Sequence, residues 1–252
     1  MTEQQSVVLV TGANQGIGKQ IAKKMAGHGY TVYLGSRNLE RGQEAAKEIE
    51  GDVRPIQLDV TDPASIKAVV SRLEAEVGGL DVLINNAAIS NTTKTEGMTL
   101  AEFVETSVAS KVSLEEVRAI WETNVFGVLA VTQAFLPLLK ARPFARIVNV
   151  GSGAGSMTMN SEPDHPWRSI YTPGYAASKT GMHAISLAFA IELEGSSVKL
   201  NVVSPGFTKT ALNNFEGNET LEEGAAEAVR VALLGPEGPH GTFTHTAGAY
   251  PW

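Results

Sequence analysis

The chain has 252 residues, a formal net charge of -7, and 43% hydrophobic against 19% charged residues, the composition of a soluble globular protein rather than a disordered or fibrous one. It contains no cysteine, which excludes disulfides, thiolate-bound zinc, iron–sulfur clusters and a cysteine nucleophile. The negative balance argues against nucleic acid or an anionic membrane as partner, since neither polyanion is drawn to a net negative surface.

The amino-terminal Met1-Thr2-Glu3-Gln4-Gln5 runs straight into apolar sequence with no basic segment and no signal-length apolar stretch. The longest run of apolar residues and glycine, Val125 to Val131, falls far short of the roughly 20 residues of a membrane span. The expectation is a cytoplasmic protein that does not cross a membrane. β-Branched apolar runs begin near Val7, Thr31, Val53, Val82, Ile147 and Val198, each followed by helical periodicity. That alternation predicts an α/β fold: one doubly wound Rossmann-type domain over residues 1–252, with a parallel sheet of about seven strands flanked by helices. The spacing between strands widens in the second half, and the extra chain predicts substrate-shaping expansions at 90–112 and 156–173. Within the first, Thr99-Leu100-Ala101-Glu102 is a capping-box pattern, and Ser113-Leu114-Glu115-Glu116 repeats it at the start of a long helix. The second, rich in Pro, Met and Trp, reads as an irregular loop. Residues 207–222 read as a lid or a plain surface connection.

Strand one ends in Thr11-Gly12-Ala13-Asn14-Gln15-Gly16-Ile17-Gly18, a glycine-rich turn into a helix. Such a turn lets the backbone approach a pyrophosphate and aims free N–H groups at it. The end of strand two, Leu34-Gly35-Ser36-Arg37-Asn38, has Arg37 where NAD recognition needs a carboxylate, so the expected cofactor is NADPH (NADP), with Arg37 pairing its 2′-phosphate. Asp59 and Val60 at the end of strand three fall beside the adenine.

Tyr175-Ala176-Ala177-Ser178-Lys179 places Tyr175 and Lys179 on one helix face. Taken with the glycine turn, Asn85-Asn86-Ala87-Ala88 after strand four, Asn124, Ser152 after strand five and Ser204-Pro205-Gly206 after strand six, the chain resembles the short-chain dehydrogenase/reductase family. Its segments Arg37-Asn38-Leu39-Glu40-Arg41-Gly42-Gln43 and Glu223-Gly224-Ala225-Ala226 are most similar to NADPH-dependent carbonyl reductases. The resemblance implies a catalytic set of Asn124, Ser152, Tyr175 and Lys179. Tyr175 acts as the acid or base, Lys179 favours the phenolate and holds the nicotinamide ribose, Ser152 donates to the substrate oxygen, and Asn124 holds a proton-relay water. It also implies cofactor contacts from Gly12, Asn14, Gln15, Gly16, Ile17, Gly18, Arg37, Asp59, Val60, Asn86, Ala87, Tyr175, Lys179, Pro205, Gly206, Thr208 and Thr210.

Two departures stand out: Ala88 replaces the usual glycine, and Ser152 lies further from Tyr175 than in most members. His165, His183, His240 and His245 show no ligand spacing, so no metal is expected. Met157, Met159 and Trp167 either line a substrate pocket or pack under a loop. The apolar face Met182, Ile185, Phe189 and Leu193 either meets a second subunit, as in a homodimer or homotetramer, or is buried in the monomer. The implied activity is reversible hydride transfer between NADPH and a small-molecule ketone or aldehyde. An NAD-dependent alcohol or hydroxysteroid dehydrogenase and a non-catalytic dinucleotide-sensing protein are the alternatives.

Overall fold

The chain forms strands, of which the central ones, built from β-branched apolar runs, are buried on both faces. In the computed structural model, which describes residues 5–93 and 97–252, the strands are β1 (Val7–Val10), β2 (Thr31–Ser36), β3 (Val53–Gln57), β4 (Val82–Asn85), β5 (Ala145–Val150), β6 (Val198–Val203), β7 (Thr242–His245) and β8 (Gly248–Ala249). Residues 94–96, inside the first expected expansion, and residues 1–4 lie outside the described residues. The strands form one sheet in the order β3-β2-β1-β4-β5-β6-β7-β8. Pairing is parallel as far as β7, and β8 returns antiparallel on it. The sheet therefore has eight strands rather than about seven, because the chain turns back after β7 for a two-residue pairing.

Strand order reverses between β1 and β4, and ligands of open parallel sheets bind outside the carboxyl ends at such a point. The glycine turn and the Asn85-Asn86-Ala87 segment leave the sheet there. Alternation along β1 divides the core: Val7 and Leu9 join one apolar cluster and Val8 and Val10 the other. Helices α1 (Gly16–Gly27), α2 (Leu39–Lys47) and, late in the chain, α9 (Leu221–Ala232) cover the second cluster through Ile21, Met25, Ala45, Ala225 and Val229. Helices α3 (Pro63–Val77), α6 (Gly127–Lys140) and α8 (Tyr175–Glu192) cover the first through Val69, Leu73, Phe135, Leu139 and Phe189. This is a single doubly wound α/β domain.

The long helix begins as α5 (Leu114–Trp121) and runs into α6 through a π-helical turn, Glu122–Phe126. Counted as one helix, Leu114–Lys140 is long and apolar enough to cross a membrane, which uninterrupted apolar runs in the sequence did not reveal. Half of its most apolar window is buried inside the fold, where Val131, Phe135 and Leu139 pack in the core. The face Met182, Phe189 and Leu193 of α8 is likewise buried within the monomer, with Ile185 packed against it. Met182, Phe189 and Leu193 are therefore not free to meet another subunit.

The expansions carry structure. The first contains α4 (Leu100–Ser107), opened by the capping box between Thr99 and Glu102. At Ser113 the hydroxyl accepts from the Glu116 N–H, but the Glu116 carboxylate reaches Thr92 instead of its own helix start. The second expansion is not irregular throughout: it forms α7 (Met157–Ser161) and a 3-10 turn, Arg168–Ile170.

Behind the sheet edge, Arg146 on β5 is fully buried. It donates to the carbonyls of Leu234, Gly235 and Pro239 and to Asn201 on β6. This clamp holds the connection from α9 to β7. Leaving several buried carbonyls without donors costs about 1–3 kcal/mol each. Arg146→Leu is therefore expected to lower unfolding stability by about 3 kcal/mol or more, read as a shifted urea midpoint.

Candidate active site

The carboxyl ends of β1, β2, β3, β4 and β5 open onto a cavity of about 430 Å³. Its floor is the turn from β1 to α1. Gly12 and Gly16 there have φ of 61° and 58°, in the left-handed region that favours glycine. A Cβ on Gly12 would also sit 2.8 Å from the Ala87 backbone. Asn86 braces the turn: its amide donates to the Thr11 and Gly12 carbonyls at 2.9 and 3.1 Å, while the Thr11 hydroxyl accepts from the Asn86 and Ala87 N–H groups at 3.0 Å each. Helix α1 starts at Gln15 without a side-chain cap, so its first N–H groups remain available to an anion. Ala88 replaces the usual glycine without strain, because it does not adopt a positive φ.

Gly12, Asn14, Gln15, Gly16, Ile17 and Gly18 line this end of the cavity. At the end of β2 the wall is Ser36, Arg37, Asn38 and Arg41; across from it stand Asp59 and Val60. Arg41 went unnoticed as a site residue in the sequence. It lies in the first turn of α2, where the Asn38 side chain accepts from its backbone N–H at 2.9 Å. The signal that could have found it is the cap: an N-cap asparagine directly after Arg37 aims the third helical residue back towards the strand end. Asp59 also serves its own loop, accepting from the Thr61 N–H and hydroxyl at 2.9 and 2.7 Å.

At the other end, Tyr175 opens α8 and Lys179 follows one turn later, both in the cavity wall. Lys179 is buried, its Nζ donating to the Val150 carbonyl at 2.8 Å. Burial lowers this ammonium to about 8. Its Nζ stands 5.9 Å from the Tyr175 ring centroid. Burial is the largest influence on the Tyr175 phenol and pushes it above 10, with a hydrogen bond to Ser152 pulling the other way. Ser152 follows β5, and its hydroxyl accepts from the Ala154 N–H at 3.2 Å.

Asn124 lies in the π-helical turn, a local departure from α-helix that recurs at functional sites. Its amide is engaged on both ends: Oδ1 accepts from the Ile89 N–H at 2.9 Å, and Nδ2 donates to the Ile89 carbonyl at 2.8 Å and Ser178 Oγ at 3.0 Å. The side chain thereby pins the loop after β4 to α8.

Of the segment after β6, Pro205 and Thr210 line the cavity together with Lys209, Ala211, Leu212 and Phe215. Thr208 is buried, its hydroxyl donating to the Pro205 carbonyl at 2.9 Å. Gly206, with φ of 73°, lies against the Glu219 carboxylate. These two residues stand behind the wall instead of in it. The loop is pinned at its base by backbone hydrogen bonds between Phe207 and Asn218, Phe207 and Glu219, and Lys209 and Glu219. The last residues of the predicted 207–222 stretch belong to α9, capped by Thr220. Trp167 packs at a tilt against Phe207 with centroids 5.0 Å apart, and Met157 is exposed.

The profile of the short chain dehydrogenase family matches residues 6–220. A short-chain dehydrogenase, anuI, of Penicillium roqueforti is 36% identical over 238 residues, 91% of this chain and 89% of the relative. The solved structure of salutaridine reductase from Papaver somniferum is similar at 28% identity and a TM-score of 0.78, covering 96% of this chain and all of that one. An NADPH-bound carbonyl reductase from chicken fatty liver shares the fold, with a TM-score of 0.81 at 24% identity over 99% of this chain and 100% of the other. The glycine turn, the Tyr175–Lys179 pair and these likenesses agree: the chain belongs to the short-chain dehydrogenase/reductase family of oxidoreductases.

Proposed function

We propose that the protein is an NADPH-dependent carbonyl reductase that reversibly converts a small ketone or aldehyde into an alcohol, working as one dinucleotide-binding and catalytic domain. The observation that carries this reading is the cavity itself. It has Arg37 and Arg41 at one end and the Tyr175–Lys179 pair at the other, with Ser152 behind the wall in hydrogen-bond contact with Tyr175. The residues suit a phosphorylated dinucleotide. The uncapped start of α1 would take the pyrophosphate, and the wall at the end of β2 offers two cations and no carboxylate for a 2′-phosphate. The relative from Papaver somniferum is itself named a reductase.

The bound cofactor supplies the hydride. Among the chain's own groups, Tyr175 holds the proton that the substrate oxygen needs as the carbonyl becomes an alkoxide; burial keeps the phenol protonated at neutral pH. Ser152 donates a second hydrogen bond to the same oxygen where charge develops. Lys179 is held at its depth by the Val150 carbonyl; with its ammonium lowered to about 8, it can exchange a proton near neutral pH and so re-supply Tyr175. Asn124 keeps the Ile89 backbone fixed against α8, which sets the wall beside the reacting carbon.

Tyr175→Phe removes the proton donor while keeping the ring. NADPH oxidation with a panel of ketones is expected to fall at least about a hundredfold, with NADPH binding by fluorescence titration unchanged; undiminished turnover would reject the mechanism. Replacing both Arg37 and Arg41 by Ala removes the phosphate partners. NADPH affinity is expected to drop on the order of tenfold or more with NADH affinity little altered, and an equal loss for both cofactors would show that these arginines do not read a 2′-phosphate.

A further inference from the structure

We propose that His183 is a positioning residue that holds the backbone of Ser152 at the geometry catalysis requires. It lies on α8 one turn beyond Lys179, is 3% exposed, and is not itself part of the cavity wall. Its Nε2 accepts from the Ser152 N–H at 3.4 Å. The two glycines that bracket the Ser152 turn are shaped around the ring. A Cβ on Gly151 would lie 2.6 Å from His183 Nε2, and one on Gly155 would lie 2.9 Å from Cε1. On its other side the imidazole is closed in by Phe243, with centroids 4.5 Å apart, and by Trp252 at 6.1 Å. The ring is thus almost wholly enclosed.

An acceptor at Nε2 places the proton of the neutral ring on Nδ1, and Nδ1 has no hydrogen-bond partner among the described residues. A buried polar atom left without a partner is unfavourable, so packing alone does not account for a histidine here. What histidine adds is the acceptor for Ser152. Burial and the nearby Lys179 charge lower its pKa to about 3, so the ring is neutral, and an acceptor, at neutral pH. Ser152 is then fixed twice: its backbone by His183 and its hydroxyl by the Ala154 N–H. Its remaining freedom is the direction of its own proton, towards the oxygen shared with Tyr175.

This inference rests on the reading of Ser152 as a donor to the substrate oxygen, and the test separates the two. His183→Phe keeps a ring and removes the acceptor; His183→Gln restores an acceptor near the position of Nε2. With NADPH and acetophenone as probes, the Phe variant is expected to lose about tenfold or more in kcat at an unchanged KM for NADPH, and the Gln variant to regain most of it. Amide hydrogen exchange at Ser152 is expected to quicken in the Phe variant and stay protected in the Gln variant. Equal kcat in the two variants, whether both wild-type-like or both impaired, would overturn the role. If the wild-type protein reduces no ketone, the reaction reading falls and exchange decides alone: quickening confined to the Phe variant supports the contact, and the same rate in both overturns it.

Discussion

The hydrogen bond from Lys179 to the Val150 carbonyl fixes the site, because it joins α8 to the end of a central strand, β5, at one register. An ammonium that is 4% exposed is costly unless its protons find acceptors, and the last carbonyl of β5 supplies one at 2.8 Å. Two further buried polar contacts hold α8 in the same register. Asn149 on β5 donates to Ser186 at 2.8 Å, and Asn124 in the π-helical turn donates to Ser178 at 3.0 Å. Asn85 on β4 donates to Asn149 in turn, which ties the neighbouring strand into the same set. Sliding α8 by one residue would break the contacts of Lys179, Ser186 and Ser178 and carry Tyr175 away from Ser152. The apolar core of α8, through Met182, Phe189 and Leu193, gives affinity for the sheet without this precision, since hydrophobic contact is non-directional.

Local patterns made the strands and the two ends of the cavity legible in the sequence. β-Branched runs mark the strands because burial on both faces selects them. The glycine turn and the Tyr175–Lys179 spacing are visible because each depends on neighbours within a few residues. What remained hidden depends on chain far away. Arg41 reaches the cavity only because the Asn38 cap sets the start of α2. The role of His183 requires β7 and the chain's last residues to close around the ring, from positions distant in sequence. The α8 face that read as a possible subunit contact is covered by strands that the sequence alone does not place over it. The capping box at Ser113 failed in its second half for the same kind of reason: a non-local contact with Thr92 outcompeted the local one.

Charge follows a similar division between local and global. The chain carries a net charge of -7, yet the cavity wall holds Arg37, Arg41, Lys179 and Lys209 against Asp59. Salt screens the overall field over about 8 Å, so a phosphate inside the cavity responds to the near cations and to the N–H groups of α1 rather than to the distant acidic surface. An acidic protein can therefore hold a polyanionic ligand without attracting polyanions in general.

The segment after β6 that lines the cavity is held by a balance of backbone strain and hydrogen bonds. Asn214 and Phe215 both adopt positive φ, 53° and 62°, which costs on the order of 1–3 kcal/mol for each non-glycine residue. Opposing that cost, the Phe215 N–H reaches the Thr210 carbonyl at 2.8 Å, the Ser90 hydroxyl reaches the Leu212 carbonyl at 2.7 Å, and Asn214 bonds the Met98 carbonyl. Each such bond contributes a net of roughly 0.5–1.5 kcal/mol, so strain and clasp are of similar size. The result is that Phe215, 66% exposed, stands in the cavity wall on a backbone held by hydrogen bonds to the loop after β4. The shape of this end of the cavity is thus set jointly by the segment after β6 and by the contacts it makes with Ser90 and Met98, and neither side defines it alone.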